Sequence, residues 1–567
     1  MKKLMGIHTC ISKILAVKGI GGYLLLADAS NKDAISLLRE RKHRKKKPFA
    51  IISPDDNYTK KIANVSNAEL EAINSKEAEI VLLNASENIN KHIAFELIAP
   101  GLSKIGVMKP YAPLLKLIAN NFNKALIATS ANISGSPIIY SNQQAKDYLS
   151  NIADYIVLNN RDILIPQDDS VSQFTKGDRK IILRRSRGLA PNFFADKIEL
   201  NDTILATGAM MKSSFAFYTN RQFYISQYLG NTDFFDSQRA YINTYKHIKS
   251  VLKANINTVL CDKHPAYFST EFARQLSDKH SIELHEVQHH KAHFASVIGE
   301  NNLCDENVLG FVWDGTGYGD DKNIWGGEVF ELKNNNIERV YHLDYSRHIL
   351  MDKMPKEPRI SALSHFAGTR ESENFLKNKF NEIEWSLYNK KASESNLLNS
   401  SMGRLFDAVA SILNLCDIND YEAQAAMLLE AKAREFVDKT NSAISYSVEL
   451  EGDKIILNKL KQELIDDLHG GISKAKIALK FHLSLVEIIR MVSEAKNINK
   501  LAFSGGVFQN ALLVELIEGR LNDKNLYFHK QLSPNDENIS HGQIISYYLT
   551  EKTKTENSEL NKEYHLK

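Results

Sequence analysis

Cysteine is scarce in this chain, and its placement excludes several kinds of site. The 567 residues include only Cys10, Cys261, Cys304 and Cys416, which lie far apart. No two of them form a C-x-x-C pair, so we expect neither a cysteine-based zinc site nor a disulfide framework. Scattered free cysteines are typical of a reducing compartment, and we expect a cytoplasmic location.

Long apolar runs are also missing. Residues 1–3 carry the positive charge that opens a secretory signal, but Lys13 and Lys18 interrupt the apolar stretch that follows. We therefore expect no signal peptide. No window of 18 residues is uninterrupted by polar side chains, so we expect no transmembrane helix and no membrane partner.

Charge of one sign is not in excess. The chain has 71 lysines and arginines against 68 aspartates and glutamates, a net charge of +3. This balance does not favour nucleic acid as a partner. A chain of this length, with 43% hydrophobic residues and few prolines, is expected to form two to four globular domains.

Short apolar runs alternate with helical patterns along most of the chain, which predicts an α/β fold. The clearest are strands at residues 14–17, 23–27, 49–52 and 308–312, and helices at residues 32–42 and 474–495. We predict one domain at residues 1–195 and a larger one at residues 200–550. Residues 551–567 are strongly polar and are expected to form a frayed tail.

Two histidines four residues apart, His289 and His293, are the first candidate metal ligands. On a helix this spacing places both imidazoles on one face, where they can hold one metal ion. Shortly after them comes Asp314, followed by three glycines within the next five positions. This composition predicts a loop whose backbone N–H groups can approach phosphate closely. Without a functional role, the two histidines would be an ordinary surface pair, and the glycine segment would be a tight turn between strands.

A second glycine-rich segment, residues 504–510, follows the apolar run at residues 501–503. This order predicts a strand that leads through a glycine turn into a helix, a geometry that can sit against a nucleotide.

The first domain carries a dense cationic cluster at residues 42–47. It can be a solvated helix end, an RNA-binding patch, or part of a triphosphate site. Ser130 and Asn132 follow the apolar run at residues 125–127, so their side chains are expected at a strand end. Together with the cations they favour an anion site.

At this point the chain resembles a known family. Lys42-x-Arg44 with Lys47, plus Ser130-x-Asn132, is similar to the signature of YrdC-like domains, which make acyl-adenylates from ATP. The second region resembles the Kae-like domain of the HypF carbamoyltransferases of [NiFe]-hydrogenase maturation. Its matching segments lie at residues 288–290, 314–319, 325–328, 402–407, 504–510 and 534–536. The resemblance implies a twisted YrdC-like α/β domain followed by a two-lobed domain of the ASKHA (actin/sugar-kinase) class.

The resemblance also implies site residues. Those expected to adenylate the substrate, with ATP and Mg²⁺, are Lys42, Arg44, Lys47, Ser130 and Asn132. Those expected to hold one Fe or Zn ion are His289, His293, Asp314 and Asp536. Those expected to bind a nucleotide in the second domain are Gly315, Thr316, Gly317, Gly403, Asp407, Gly505, Gly506 and Asn510.

The sequence departs from the family pattern in several places. The acylphosphatase domain and the zinc-finger region with which family members begin are absent from it. Lys291 stands where a histidine is usual, and Glu537-Asn538 stand where two glycines are usual. After Glu357-Pro358 the usual tryptophan is missing, as is a nearby Gly-Gly pair. We expect the metal ligands to be retained and the acceptor side to have changed.

The resemblance implies an ATP-dependent carbamoyltransferase. It would form carbamoyl-AMP from carbamoyl phosphate and transfer the carbamoyl group to a partner, a thiol-bearing hydrogenase-maturation protein. One alternative is transfer to a small-molecule hydroxyl, as in antibiotic O-carbamoyltransferases. Another is a non-catalytic relic that binds nucleotide or RNA.

Overall fold

The computed structural model describes residues 13–132, 136–194, 197–368, 370–437 and 444–565. The chain separates into two compact units. Unit 1 comprises residues up to Asn192 together with Met210–Ser213 and Ile225–Ala254. Unit 2 comprises Phe193–Ala209, Ser214–Tyr224 and the chain from Asn255 onward.

Unit 1 is built on a mixed sheet of ten described strands. These are β1 Leu15–Lys18, β2 Tyr23–Asp28, β3 Ala50–Ile52, β4 Ala63–Asn64, β5 Ile80–Ala85, β6 Lys104–Met108, β7 Leu126–Ser130, β8 Tyr155–Val157, β9 Val171–Phe174 and β10 Lys180–Arg184. Their order is β10-β9-β5-β6-β3-β7-β2-β1-β8, with β4 beside β5. The helices of this unit are α1 Lys32–Arg41, α2 Asp56–Ile62, α3 Asn67–Asn74, α4 Phe95–Ile98, α5 Pro113–Phe122, α6 Asn142–Leu149 and α7 Phe235–Leu252.

The central strand β2 shows why the sheet forms. Every residue of β2 is buried because β1 and β7 pair with it on either side and apolar side chains cover both faces. Tyr23, Leu25 and Ala27 point into one core, and Leu24 and Leu26 into another. A strand buried on both faces reads as a continuous apolar run, which is how the sequence predicted it.

Helix α1 positions the cationic cluster. Asn31 caps its first turn by accepting hydrogen bonds from the backbone N–H groups of Asp33 and Ala34, both at 3.0 Å. The helix ends at Arg41, and Lys42 follows as the capping residue. The predicted ends of β1, β2, β3 and α1 are correct to within one residue.

Unit 2 contains two sheets. The first consists of β11 Asn192–Phe194, β12 Ile204–Ala206, β13 Ala216–Thr219, β14 Gln222–Ile225, β15 Thr258–Asp262 and β16 Glu283–Val287. Its order is β11-β14-β13-β12-β15-β16. The second consists of β17 Val308–Tyr318, β18 Ile324–Lys333, β19 Asn336–Leu343, β20 Ser346–Arg347, β21 Leu398–Asn399, β22 Glu449–Glu451, β23 Lys454–Ile456, β24 Lys500–Ser504 and β25 Asn525–Tyr527. Its main order is β22-β23-β19-β18-β17-β24-β25, with β21 beside β18 and β20.

The described helices of unit 2 are α8 Phe268–His280, α9 His289–Glu300, α10 Pro358–Phe366, α11 Arg370–Lys377, α12 Glu382–Glu394, α13 Met402–Ile412, α14 Gln424–Val437, α15 Asn458–His469, α16 Lys474–Lys496, α17 Ala511–Arg520 and α18 Ile539–His565. Helix α9 packs on β17, β18 and β24 of the second sheet, whereas α18 packs on β12, β13, β15 and β16 of the first. The two helices also pack on each other, and a Cβ atom at Gly542 of α18 would lie 1.8 Å from the Ala292 carbonyl oxygen of α9. This two-lobed α/β arrangement confirms the predicted fold class.

Two local predictions are wrong. The segment after Asp314 is not a free loop, because β17 continues to Tyr318 and pairs with β18 beyond a register irregularity between Trp313 and Gly317. Glycine is required at position 317, since a Cβ there would lie 2.4 Å from the His290 ring. The expected frayed tail is helical through residue 565 as the continuation of α18. Its lysines and glutamates are good helix formers, which outweighs their polarity.

No helix among the described residues combines the length and the apolar character that crossing a membrane would require.

Candidate functional site

Four predicted metal ligands converge in unit 2. His289 and His293 lie one turn apart on α9 and are buried, Asp314 lies on β17, and Asp536 begins a short 3₁₀ helix before α18. One potential ligand atom from each of these four residues lies within 4.8 Å of all the others. The proximity of His289 and His293 follows from their spacing on one helix. The two aspartates belong to distant segments of the chain, and only the fold places them beside the histidines.

The cluster fits a metal ion. His289 Nε2 and His293 Nε2 each lie 3.8 Å from Asp314 Oδ2, and His293 Nε2 lies 3.7 Å from Asp536 Oδ1. Ligand atoms of a tetrahedral ion with bonds of about 2.1 Å are roughly 3.4 Å apart. Both Nε2 atoms are buried and make no hydrogen bond to any residue that the structure describes. Two imidazole nitrogens and two carboxylates form a donor set suited to Zn or Fe.

Each candidate histidine ligand has a hydrogen-bond partner on its other ring nitrogen, Nδ1. His289 Nδ1 lies 2.7 Å from Asp262 Oδ2, and His293 Nδ1 lies 3.0 Å from Asn538 Oδ1. Because both partners accept through oxygen, each Nδ1 carries a proton, and Nε2 is the ring atom of each histidine that faces the cluster and is available to a metal ion. Asp262 and Asn538 were not predicted from the sequence.

The charges of the cluster are complementary. Burial by itself lowers the pKa of His289, but the adjacent Asp262 carboxylate outweighs burial and raises this pKa well above its usual value. Burial would raise the pKa of Asp314, yet the neighbouring His289 and His293 outweigh burial and lower it below its usual value. The Asp314 carboxylate is therefore ionised, as a metal ligand must be.

His290, next to the first ligand, carries a buried hydrogen-bond donor. The Gln288 amide accepts from Lys291 N–H through its oxygen and donates from its nitrogen to the Tyr318 carbonyl. That same nitrogen lies 3.3 Å from His290 Nδ1, which must therefore be the acceptor. The proton of His290 is on Nε2, which is buried and has no hydrogen-bond partner among the described residues. Burial and the neighbouring His289 hold the pKa of His290 well below its usual value, so the ring is neutral.

The predicted nucleotide-loop glycines surround Asp314. The backbone N–H of Gly506 donates to Asp314 Oδ1 at 3.0 Å. Gly505 has φ +99°, a conformation that favours glycine, and a Cβ there would lie 2.3 Å from the Trp313 carbonyl oxygen. Gly403 at the start of α13 lies so close to Gly315 that a Cβ on Gly403 would approach its Cα to 2.8 Å.

The other residues predicted to bind a nucleotide differ in whether their side chains are free to contact one. A Cβ at Gly315 would meet open space, and Thr316 is exposed. Asp407 is buried and bound by Arg404 at 2.8 Å. Asn510 accepts from Leu513 N–H as the cap of α17 and also contacts His482 at 3.0 Å. These last two side chains are already hydrogen-bonded within the protein.

In unit 1 three of the predicted catalytic residues, Lys42, Ser130 and Asn132, meet, and Arg44 and Lys47 lie nearby. Lys42 Nζ donates to the Ser130 carbonyl oxygen at 2.8 Å, to the Asn132 carbonyl oxygen at 3.2 Å and to Asn132 Oδ1 at 3.0 Å. Ser130 Oγ donates to the same Asn132 Oδ1 at 3.1 Å. Arg44 Nη1 donates to Thr129 Oγ1 at 3.0 Å, and its Nε donates to the Lys47 carbonyl oxygen at 3.1 Å.

The electrostatics of this cluster are those of an anion site. Burial, and then the nearby charges of Arg44 and Lys47, lower the pKa of Lys42 to about 7, although Asp168 opposes the shift. A lysine destabilised by other cations gains most when an anion arrives. The cluster lies at the carboxyl end of β7, as the sequence predicted.

Unit 1 also contains a cluster of charged and aromatic side chains around Arg187. Arg187 pairs with Asp169 at 3.0 Å, and its guanidinium lies 3.6 Å from the centre of the Tyr111 ring. Arg184 lies 3.8 Å from Asp168, which links this group to the surroundings of Lys42.

Family models match nearly the whole chain. Residues 12–186 match the Sua5/YciO/YrdC model, described as telomere recombination. Residues 199–300 match the HypF Kae1-like domain. Residues 310–543 match the second subdomain of the Kae1-like domain of carbamoyltransferases.

Full-length relatives agree. The chain is 33% identical to carbamoyltransferase HypF of Synechocystis sp., with 94% of this chain and 71% of that protein aligned. It is 34% identical to a probable carbamoyltransferase HypF of Methanocaldococcus jannaschii, covering 94% and 70%. A crystal structure of full-length HypF in a phosphate- and nucleotide-bound form superposes with a TM-score of 0.89 at 33% identity, over 96% of this chain and 86% of that one. HypF of T. kodakarensis superposes with the same TM-score at 32% identity, covering 97% and 73%. At this identity and coverage, the chain belongs to the HypF family of carbamoyltransferases.

Proposed function

We propose that unit 1 adenylates carbamate with ATP and that unit 2 transfers the carbamoyl group to the thiol of a hydrogenase-maturation protein. The observation that carries this proposal is the presence, in one chain of this family, of two distinct clusters. One is cationic and built around Lys42, and the other has two histidines and two aspartates.

In the first step, a carbamate oxygen attacks the α-phosphorus of ATP. The bond between the α-phosphorus and the bridging oxygen breaks, and pyrophosphate leaves. Lys42, Arg44 and Lys47 would neutralise the charge on the phosphates, while Ser130 and Asn132 would orient the carbamate and ATP. Mg²⁺ is the expected companion of ATP. Carbamate would come from hydrolysis of carbamoyl phosphate by water, with release of inorganic phosphate.

In the second step, the acceptor thiolate attacks the carbamoyl carbon and AMP leaves, while the thiol proton passes to solvent. A Zn or Fe ion held by His289, His293, Asp314 and Asp536 would supply Lewis-acid stabilisation. The glycine-lined surroundings of Asp314, at Gly315, Gly403 and Gly506, would admit the AMP moiety. His290 Nε2–H lies beside the cluster as a neutral donor for the carbamoyl oxygen.

Carbamate-dependent exchange of labelled pyrophosphate into ATP tests the first step, and mass spectrometry detects carbamoyl-AMP directly. Carbamoyl phosphate should be compared with bicarbonate plus ammonia, which forms carbamate in solution. We expect exchange in wild type, its loss in Asn132→Ala, and wild-type exchange in Lys45→Ala, which changes an exposed lysine of the same segment. No exchange with either carbamate source would refute the adenylation step.

The acceptor is tested separately with short peptides that end in cysteine or serine, and with small alcohols. Carbamoylation of the cysteine peptide alone supports a protein thiol. Transfer to the alcohols alone would replace it by a small-molecule hydroxyl.

A further inference from the structure

A buried chain of polar side chains runs from the far end of α9 to the metal ligand His293. Glu300 is the last residue of the helix whose first turns carry His289 and His293. Its Oε2 accepts from His529 Nδ1 at 2.7 Å. Both side chains are almost completely buried, and none of the reaction steps above uses them.

Glu300 also holds the backbone that leads to the fourth ligand. Its Oε1 accepts hydrogen bonds from three consecutive N–H groups, those of Lys530, Gln531 and Leu532. This segment is followed within a few residues by Asp536. One carboxylate therefore ties the helix with two ligands to the segment that supplies another.

The carboxylate is ionised in this position. Burial raises the pKa of Glu300, but the hydrogen bond from His529 and those from the backbone N–H groups outweigh burial and lower this pKa below its usual value. Burial lowers the pKa of His529, so its ring is neutral. An ionised carboxylate only accepts, so His529 Nδ1 must donate the proton.

The direction of every later hydrogen bond then follows. Because the proton of neutral His529 is on Nδ1, its Nε2 accepts, from Ser504 Oγ at 2.9 Å and from Asn538 Nδ2 at 3.3 Å. Asn538 Nδ2 also donates to the Ser533 carbonyl oxygen at 2.8 Å and lies 3.3 Å from Ser504 Oγ, and these contacts favour the same orientation of the amide. Asn538 Oδ1 is left to accept from His293 Nδ1.

We propose that Glu300 and His529 are positioning residues that, through Asn538, keep the proton of His293 on Nδ1 and its Nε2 lone pair toward the metal ligands. The inference rests on the metal site proposed above. Histidine ligands with a fixed partner on the other ring nitrogen bind metal more tightly, and loss of such outer partners typically weakens binding about 10–100-fold.

Glu300→Gln tests the polarity of the chain. Glutamine has one oxygen, which the three backbone N–H groups require, so its amide nitrogen faces His529 Nδ1. His529 must then carry its proton on Nε2, which points at the Asn538 amide nitrogen. If that amide turns over, it presents N–H to His293 Nδ1 and drives the His293 proton onto Nε2, where it opposes metal binding.

The experiment measures Zn²⁺ affinity by competition with a chromophoric chelator, and records the visible ligand-field spectrum with Co²⁺. We expect Glu300→Gln to bind Zn²⁺ about 10–100-fold more weakly than wild type and to change the Co²⁺ spectrum. Glu306→Gln is the matched control, because Glu306 forms an exposed ion pair with Lys500. We expect it to keep wild-type affinity.

Thermal unfolding of the metal-free proteins separates positioning from stability. If Glu300→Gln melts earlier but retains wild-type Zn²⁺ affinity and Co²⁺ spectrum, the inference is overturned while the metal site stands. If wild type binds neither ion, the metal site itself fails, and this inference falls with it. Should Glu300→Gln not fold, Asn538→Ala breaks the same chain at its last link. It should also weaken Zn²⁺ binding, and wild-type affinity in that variant would overturn the inference.

Discussion

Binding of ATP to unit 1 should take up a proton from solution, because Lys42 sits in a site where its charge is unfavourable. Burial and the neighbouring Arg44 and Lys47 lower the pKa of Lys42 to about 7. Its Nζ nonetheless remains in contact with the Ser130 and Asn132 oxygens. If the triphosphate binds there, its negative charge restores the protonated form.

The magnitude follows from the pKa. At pH 8, a lysine with a pKa of about 7 is roughly one-tenth protonated, so near-complete protonation in the complex takes up about 0.9 proton per ATP. At pH 7 the uptake falls to about 0.5, and near pH 5 to almost zero, because the free protein already carries the proton. ATP bound to Mg²⁺ is itself deprotonated at pH 8 and adds no uptake of its own.

Calorimetry of ATP binding in two buffers with different ionisation enthalpies measures this number directly. Lys42→Met should remove the proton uptake and weaken ATP binding. Lys45→Met, at an exposed position, should retain the proton uptake. Uptake of the same size in wild type and Lys42→Met would refute the assignment, as would tight binding of ATP at pH 8 with no proton exchanged.

The same pKa has a consequence for stability. In the unfolded chain Lys42 titrates near 10.4, so between pH 7 and about 10 the unfolded state binds more protons than the folded state. The folded state therefore gains stability as pH rises through this window. The gain should be absent in Lys42→Met, which urea unfolding at pH 7 and pH 9 would show.

Three further predictions address other parts of the molecule. His293→Ala should lose its metal, as elemental analysis will show, but keep pyrophosphate exchange. Lys47→Ala should keep its metal and exchange pyrophosphate roughly 10²–10³-fold more slowly. Equal loss of exchange in both variants would contradict the division of labour between the units. His290→Phe should keep both metal and exchange but slow carbamoyl transfer to a thiol by roughly 10²-fold, since it removes the buried Nε2 donor. Met351 is exposed and has φ +46°, so Met351→Gly should be more stable towards urea than Met351→Ala by about 1 kcal/mol.

Local patterns in the sequence predicted much of the fold. The run at residues 23–28 is apolar because both faces of β2 are covered, and the spacing of Ala34 and Leu38 follows one face of α1. The turn from β24 through Gly505 into α17 was also anticipated, since a strand, a glycine and a helix cap occur in order. Each of these features is determined within about ten residues, where periodicity and capping act.

The metal ligands could be predicted only in part from the residues themselves. His289 and His293 are related by helical spacing, whereas Asp536 came from resemblance to the family, because more than 240 residues separate it from them. The glycines after Asp314 pointed to a loop, yet β17 continues through them because pairing with β18 resumes at Gly317. Glycine composition does not distinguish a phosphate loop from a strand that must pass close to a histidine ring.

The hydrogen-bond partners of the two histidines, Asp262 and Asn538, could not be predicted from the sequence, for a physical reason. Asp262 ends a buried strand, a position shared by many carboxylates with no such role, and only the fold brings it to His289. Asn538 stands where the family pattern has glycine, which has no side chain. In this chain its amide is bonded on both sides, to His293 and to His529. Asn538 is a departure from the family pattern in sequence. In the structure it adds a hydrogen bond that orients His293.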